Sequence, residues 1–333
     1  MIDPSLPLID LHRHLDGNVR LETILDLGRQ HQLPLPAWDI ESLRPHVQIT
    51  EPQPGVMAFI AKFEWMVGVL VDGEACRRIA YENVEDAQKE GLDYLELRFS
   101  PWFMAEPHGL NPTEVVEAVV DGIEAGARDF DIKVNIIGIL SRTYGTEIAW
   151  KELEALLQFH DRIVGLDLAG DEANQPGGLF IDHFNKAREV GWQSTVHAGE
   201  AAGPESVWQA VQELGASRIG HAIQAAKDPA LLDFLVEQKV GIEVSLTSNV
   251  QTSSIPDFPS SPLKSYLQRG LLATINTDDP GISGVDLHHE YNVAAPAAGL
   301  SRDQIRQAQR NAVEIAFLTS DEKQSLLDEK NVS

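Results

Sequence analysis

The segment Asp10-Leu-His-Arg-His-Leu-Asp-Gly17 sets two histidines two residues apart. Alternate residues of a strand point to the same side, so His12 and His14 can face one metal ion; otherwise they are two ordinary polar residues at a strand exit. In Thr195-Val-His-Ala-Gly-Glu200, His197 leaves an apolar run, where a buried imidazole needs hydrogen-bond partners or a metal. Read alone it is equally a satisfied core histidine, while Glu200, beyond a glycine, can reach over the same place as an acid. Gly220-His221-Ala222 offers a further imidazole, which by itself reads as structural. Asn276-Thr-Asp-Asp-Pro-Gly281 ends on adjacent carboxylates, Asp278 and Asp279, which either serve chemistry or accept local backbone hydrogen bonds in a turn. Taken jointly, three histidines and one carboxylate leave room for a water on the metal, the pattern of a catalytic rather than a closed structural zinc.

Such residues can meet only if the elements carrying them do. Short β-rich runs occupy 6–11, 92–99, 133–140, 164–169, 193–197, 218–223, 240–246 and 271–276. Several are apolar with little alternation, as in parallel strands buried on both faces. Amphipathic helices are predicted over 76–90, 113–130, 179–190, 205–214 and 229–238, several stopped by a glycine. This alternation predicts an α/β fold, a closed (β/α)8 TIM barrel, in one domain spanning 1–333. Barrel enzymes carry catalytic groups at the C-terminal ends of strands, and closure makes the first and last strands neighbours. Residues 21–71, mostly helical, are predicted to add a lid of extra helices between strands one and two, and 302–329 to pack as helices outside. No Gly-x-Gly-x-x-Gly follows an early strand, which argues against a dinucleotide fold. His31, His46, His108, His160 and His183 read as surface or packing residues, and His288 and His289 are left outside the site.

The chain carries 26 basic and 51 acidic side chains, a net charge of −25. So acidic a surface repels phosphate backbones and anionic lipid, arguing against nucleic acid and membrane partners and for a neutral or cationic small molecule. Cys76 is the only cysteine, so no disulfide within the chain and no thiolate metal site is possible. Neither a signal segment nor an apolar run of ~18 residues is present, and the cytoplasm is the expected compartment.

These segments resemble the adenosine deaminases of the amidohydrolase superfamily across nearly the whole chain. The match runs from His12-Arg-His-Leu-Asp-Gly17 through Asp167-Leu-Ala-Gly-Asp-Glu172, His197-Ala-Gly-Glu200, Gly220-His221 and Ser248-Asn249 to Asn276-Thr-Asp-Asp-Pro280, and the order and spacing together are specific. The resemblance implies a (β/α)8 barrel holding one zinc on His12, His14, His197 and Asp278. It implies that His221 and Asp278 orient a water and take its proton, and that Glu200 donates to purine N1. Asp279 would bond N7, the Gly170 backbone N3, and Asp16 the ribose 5′-hydroxyl, with His14 also at the substrate. Adenine deaminases resemble this motif but usually carry Glu where Asp16 stands, so the aspartate favours adenosine and 2′-deoxyadenosine; its plainer reading is a helix N-cap. For Glu200 and Asp279 to donate, the closed site must raise their pKa values by desolvation.

Two residues depart from the pattern. Ala222 stands where family members often have glycine, and Ser245 where a cysteine is expected. Among rivals, two-metal barrel hydrolases use a carboxylated lysine at the end of strand four, where this chain has Leu166-Asp-Leu-Ala-Gly170. A deaminase of AMP or methylated AMP would want a basic cluster, and none lies near these motifs; Arg13 and Arg98 are the residues that a fold could bring to a phosphate. A catalytically dead binding barrel would have lost Glu200, His221 or Asp279. A cytidine-deaminase-like route needs Cys-x-x-Cys, which a single cysteine excludes.

Overall fold

Eight strands hydrogen-bond in chain order in the computed structural model, which describes residues 1–332. They are β1 (Ile9–His14), β2 (Tyr94–Phe99), β3 (Lys133–Ser141), β4 (Ile163–Ala169), β5 (Gln193–Ala198), β6 (Arg218–His221), β7 (Gly241–Val244) and β8 (Leu272–Ile275). Every neighbouring pair is parallel. The ring closes just past β8, where Asp278 N donates to His12 O at 2.8 Å and His14 N donates to Asp278 O at 2.7 Å. This is the (β/α)8 barrel that the strand–helix rhythm predicts.

The strands divide their two faces by chemistry. In β2, Leu95, Leu97 and Phe99 join the apolar core under the helices, while Arg98 points to Asp167 of β4 and Glu243 of β7 inside the barrel. All six residues of β2 are buried, so each inward charge must find a partner within the protein. Outside, helix Gly73–Lys89 starts at Asp72, whose carboxylate accepts from Ala75 N, and it packs beside helix Pro112–Phe130.

Two sequence expectations need adjustment. The first strand is 9–14 rather than 6–11: Leu6 and Leu8 are buried ahead of it, and the polar run Asp10 to His14 lies within the strand because the barrel interior takes charge. The sixth strand stops at His221 rather than 223, where His221 and Ala222 turn left-handed at φ 64° and 51°. Residues 302–329 are helical, as expected, but in two pieces. Helices Arg302–Ile315 and Ser320–Val332 are separated by residues 316–319, which cross the N-terminal end of the barrel. The expected lid is present as helices Leu21–Gln30, Ile40–Val47, Val56–Ile60 and Glu64–Val67. Among the described residues no helix is long and apolar enough to cross a membrane.

Candidate active site

β1 and β5 bring three imidazoles to one point at the C-terminal end of the barrel. His12 Nε2 lies 3.0 Å from His197 Nε2, and His14 Nε2 lies 3.3 Å from it. Asp278 Oδ1 sits 3.1 Å from His12 Nε2 and 3.2 Å from His14 Nε2. All four are buried. The residues expected to share a metal therefore converge from opposite ends of the chain.

The outer ring nitrogens decide what this cluster can hold. His12 Nδ1 is 2.7 Å from Glu243 Oε2, and His197 Nδ1 is 3.0 Å from Asp167 Oδ2. Burial pushes both carboxyls upward, but the charges of Arg98 and Arg218 at Glu243, and the hydrogen bond from His197 with the charge of Arg98 at Asp167, outweigh it and hold both well below the usual range. Ionised carboxylates only accept, so each imidazole carries its proton on Nδ1 and turns a lone pair inward from Nε2. Burial also pushes the His197 imidazole down to about 3, in keeping with a neutral ring. The His12 Nε2 lone pair then faces the His197 Nε2 lone pair at 3.0 Å and the Asp278 oxygen at 3.1 Å with no proton between them. A cation resolves this, and among the described residues two groups of donors that share Asp278 could each hold a metal, one of His12, His197, His221 and Asp278 and the other of His14, Asp278 and Asp279.

The acids stand beside it. His221 Nε2 lies 3.6 Å from Glu200 Oε2 and 3.7 Å from Asp278 Oδ2, its ring oriented by Asn249 Nδ2 2.9 Å from Nδ1. Glu172 accepts from the backbone N–H groups of Gly199, Glu200, Ala201 and Ala202 at 2.6, 3.1, 2.7 and 3.0 Å, which fixes the segment carrying Glu200. Burial raises the Glu200 pKa despite His221, and burial with Asp278 beside it raises that of Asp279 well above the usual carboxylate range. Asp279 Oδ1 is buried without a hydrogen-bond partner among the described residues. Gly17 makes room for it, since a Cβ there would fall 1.8 Å from that oxygen.

Asp278 itself has φ 68°, a left-handed conformation that aspartate tolerates better than most residues. Ala222, at φ 51°, has the geometry in which the family's glycine costs nothing and a methyl costs about 1 kcal/mol. The Ser245 hydroxyl is fully buried with no partner among the described residues, so replacing the expected thiol leaves a polar atom unsatisfied there.

A cavity with about 810 Å³ of empty space, its mouth included, opens onto these groups. His14, Asp16, Gly170, His197, Glu200, His221, Asp278 and Asp279 line its floor, and Val56, Phe59, Ile60 and Phe63 of the lid form an apolar wall. Asp16 caps no helix: the first lid helix begins after Arg20, and Asp16 Oδ2 accepts from Ser100 N at 3.1 Å. Gly170 has φ 109°, and a side chain there would meet Thr143 Oγ1 at 2.4 Å. No lysine or arginine lines the cavity. Arg13 is committed to Asp10 and Glu90, and Arg98 to Asp167 and Glu243, so neither is free for a phosphate.

Sequence reasoning did not assign Glu243, Asp167, Glu172 or Asn249 their parts. The available signal was a charge inside an otherwise apolar strand, as in Gly241-Ile-Glu-Val244 and Gly165-Leu-Asp-Leu168.

The adenosine deaminase family model matches residues 7–331. An adenosine deaminase of Escherichia coli O1:K1 / APEC is 58% identical over 326 residues, covering 98% of each chain. The solved adenine deaminase of Arthrobacter aurescens superposes with a TM-score of 0.90 at 25% identity, covering 98% of each chain. An Arabidopsis thaliana N6-methyl-AMP deaminase does so with a TM-score of 0.83 at 26% identity, covering 99% of this chain and 97% of that one. A similar Arabidopsis structure is solved with GMP, at a TM-score of 0.84 and 26% identity over 99% of this chain and 97% of that one. With a matched length that takes in the whole barrel and the buried His/Asp cluster at its mouth, the chain belongs to the adenosine deaminase family.

Proposed function

We propose that this chain is a zinc-dependent hydrolase converting adenosine and 2′-deoxyadenosine, with water, to inosine and 2′-deoxyinosine plus ammonia, in purine metabolism and salvage. The observation that carries this reading is the convergence of His12, His14, His197 and Asp278 beside a buried acid, Glu200, at the floor of the cavity. Nitrogen and carboxylate donors without a thiolate suit one zinc per chain, which when bound makes hydroxide available near neutral pH.

The chain's own residues supply the rest. His221 and Asp278, 3.7 Å apart, orient the attacking water and take its proton. Glu200, whose pKa burial raises, donates to purine N1 so that C6 becomes electrophilic. Asp279, whose pKa burial and Asp278 raise, has an unpartnered oxygen among the described residues available to purine N7, and the Gly170 backbone faces N3. Addition at C6 gives a tetrahedral carbon, the amino group leaves as ammonia, and the ring returns to planarity as the 6-oxo purine.

At the sugar end, Asp16 accepts the 5′-hydroxyl, and His14 joins it against the substrate. The carboxylates of the cavity, with no lysine or arginine among its described lining residues, favour a nucleoside over a 5′-phosphate. The whole chain would work as one domain, and the buried, reduced Cys76 fits the cytoplasm. Ammonia release and ultraviolet change, measured with adenosine, 2′-deoxyadenosine, AMP and adenine on protein of measured metal content, test the reading. Turnover of AMP or adenine in preference to adenosine would overturn it.

A further inference from the structure

Beneath the His12 cluster the barrel interior holds charges that the reaction above does not use. Glu243 of β7 lies between two guanidinium groups. Its Oε2 accepts from His12 Nδ1 at 2.7 Å and from Arg98 Nη2 at 2.9 Å, and its Oε1 lies 2.7 Å from Arg218 Nε. Arg218, at the start of β6, is 1% exposed and reaches the opposite end of the barrel. There Nη1 donates to Ile315 O at 3.1 Å and Nη2 pairs with Glu96.

The face of that guanidinium is covered by one side chain. The Phe317 ring centroid lies 3.5 Å from Arg218 Cζ. Phe317 sits in the connector between the last two helices and is tied to the barrel through its backbone. Its N donates to Glu96 Oε1 at 2.7 Å, and its O accepts from Asn135 Nδ2 at 2.9 Å. Stacking on an aromatic face leaves all the edge donors of a guanidinium free while restricting its rotation. A polar cavity adjoins the pair, bordered by Trp192, Lys239, Glu314 and Lys323, so an Arg218 released from the ring has space to swing into.

We propose that Phe317 is a positioning residue for the metal centre, acting from the far end of the barrel. Phe317 holds Arg218 flat, Arg218 fixes Glu243, and Glu243 fixes the proton and direction of the His12 ring. Without the ring, Arg218 moves, Glu243 keeps only Arg98 and Thr195, whose Oγ1 donates to its Oε1 at 3.0 Å, and the shifted carboxylate no longer aims His12 Nε2. Groups that orient metal-bound histidines commonly change metal affinity 10- to 100-fold. No residue of this relay except His12 lies near the cavity floor, so substrate affinity should not follow. The proposal rests on His12, His14, His197 and Asp278 being metal ligands.

Zinc affinity measured by chelator competition on the purified full chain tests it, with the melting temperature recorded with and without zinc. Phe317 is only half-buried, so Phe317→Ala should fold. It should bind zinc about tenfold more weakly, with a smaller zinc-induced rise in Tm and an unchanged KM once saturated. Phe317→Tyr, which keeps the stacking face, should restore wild-type affinity, and Arg218→Lys, which loses the flat fork, should match Phe317→Ala. Should Phe317→Ala fail to fold, Phe317→Leu and Arg218→Lys give the same reading. Zinc affinity within twofold of wild type in these variants, even with a lower Tm of the metal-free protein, overturns the relay and leaves the centre intact. A wild-type chain that binds no zinc overturns both.

Discussion

Asp278 and His12 are joined twice. The Asp278 backbone N donates to His12 O at 2.8 Å, and its carboxylate Oδ1 lies 3.1 Å from His12 Nε2. The bond that closes the barrel thus also sets the distance between two donors of the candidate metal centre. A left-handed backbone at Asp278, φ 68°, turns the side chain back toward β1.

Asp278→Asn separates these two roles, because asparagine also tolerates the left-handed region. The barrel should close as before, with far-ultraviolet circular dichroism unchanged. Loss of the charged donor and of the proton acceptor should cut kcat by on the order of 100-fold or more and weaken zinc retention. A variant with full turnover and normal zinc content would remove Asp278 from the site.

Glu200→Gln should keep the metal and lose about 10²- to 10⁴-fold in kcat, the usual worth of a positioned proton donor. Burial raises the Glu200 pKa, and the protonated form is the working one. Rate should therefore be present at low pH as far as Glu200 is concerned and decline as pH rises through its raised pKa. The alkaline limb of the kcat profile should vanish in Glu200→Gln, and a limb that persists unchanged assigns it to another group.

Asp16→Ala tests the nucleoside end of the cavity. Removing one charge-assisted hydrogen bond should lower kcat/KM for adenosine by roughly 10- to 100-fold. Whatever turnover of free adenine is measured, since adenine has no ribose, should be unaffected. An equal loss for both substrates would mean that Asp16 acts only by holding Ser100.

Glu290 tests a stability consequence away from the chemistry. Burial, against hydrogen bonds from Thr247 and Leu246, raises its pKa from 4.5 to about 8, so the folded protein prefers it protonated. Its contribution is complete below the unfolded pKa and is lost as pH rises through about 8. Glu290→Gln mimics the protonated acid, so the variant should match wild type near pH 5 and melt about 2–4 °C higher near pH 9. A difference in Tm that does not change with pH would show that Glu290 is not titrating there.

What could be read from the chain alone was chemistry of short range and pattern. His12 and His14 share a strand face whatever the rest of the protein does, because the two-residue period of a strand is local. The alternation of apolar runs and helices allowed a parallel barrel, and barrel closure put the first and last strands side by side. The direction of the Glu200 and Asp279 pKa shifts also followed from burial in a closed site.

The tertiary structure decided everything that depends on a partner distant in sequence. Glu243 and Asp167 were visible as charges in apolar strands, but only the folded barrel shows that they accept hydrogen bonds from the Nδ1–H groups of His12 and His197. Arg98, a candidate only if a phosphate had to be bound, proves to be spent on those same two carboxylates. The break at 316–319 was invisible to helical periodicity, since Phe317 leaves the helix to lie on Arg218, and an aromatic residue in an amphipathic run carries no mark of that. A buried charge must be paired, and sequence states the need; which residue meets it is a matter of three-dimensional proximity.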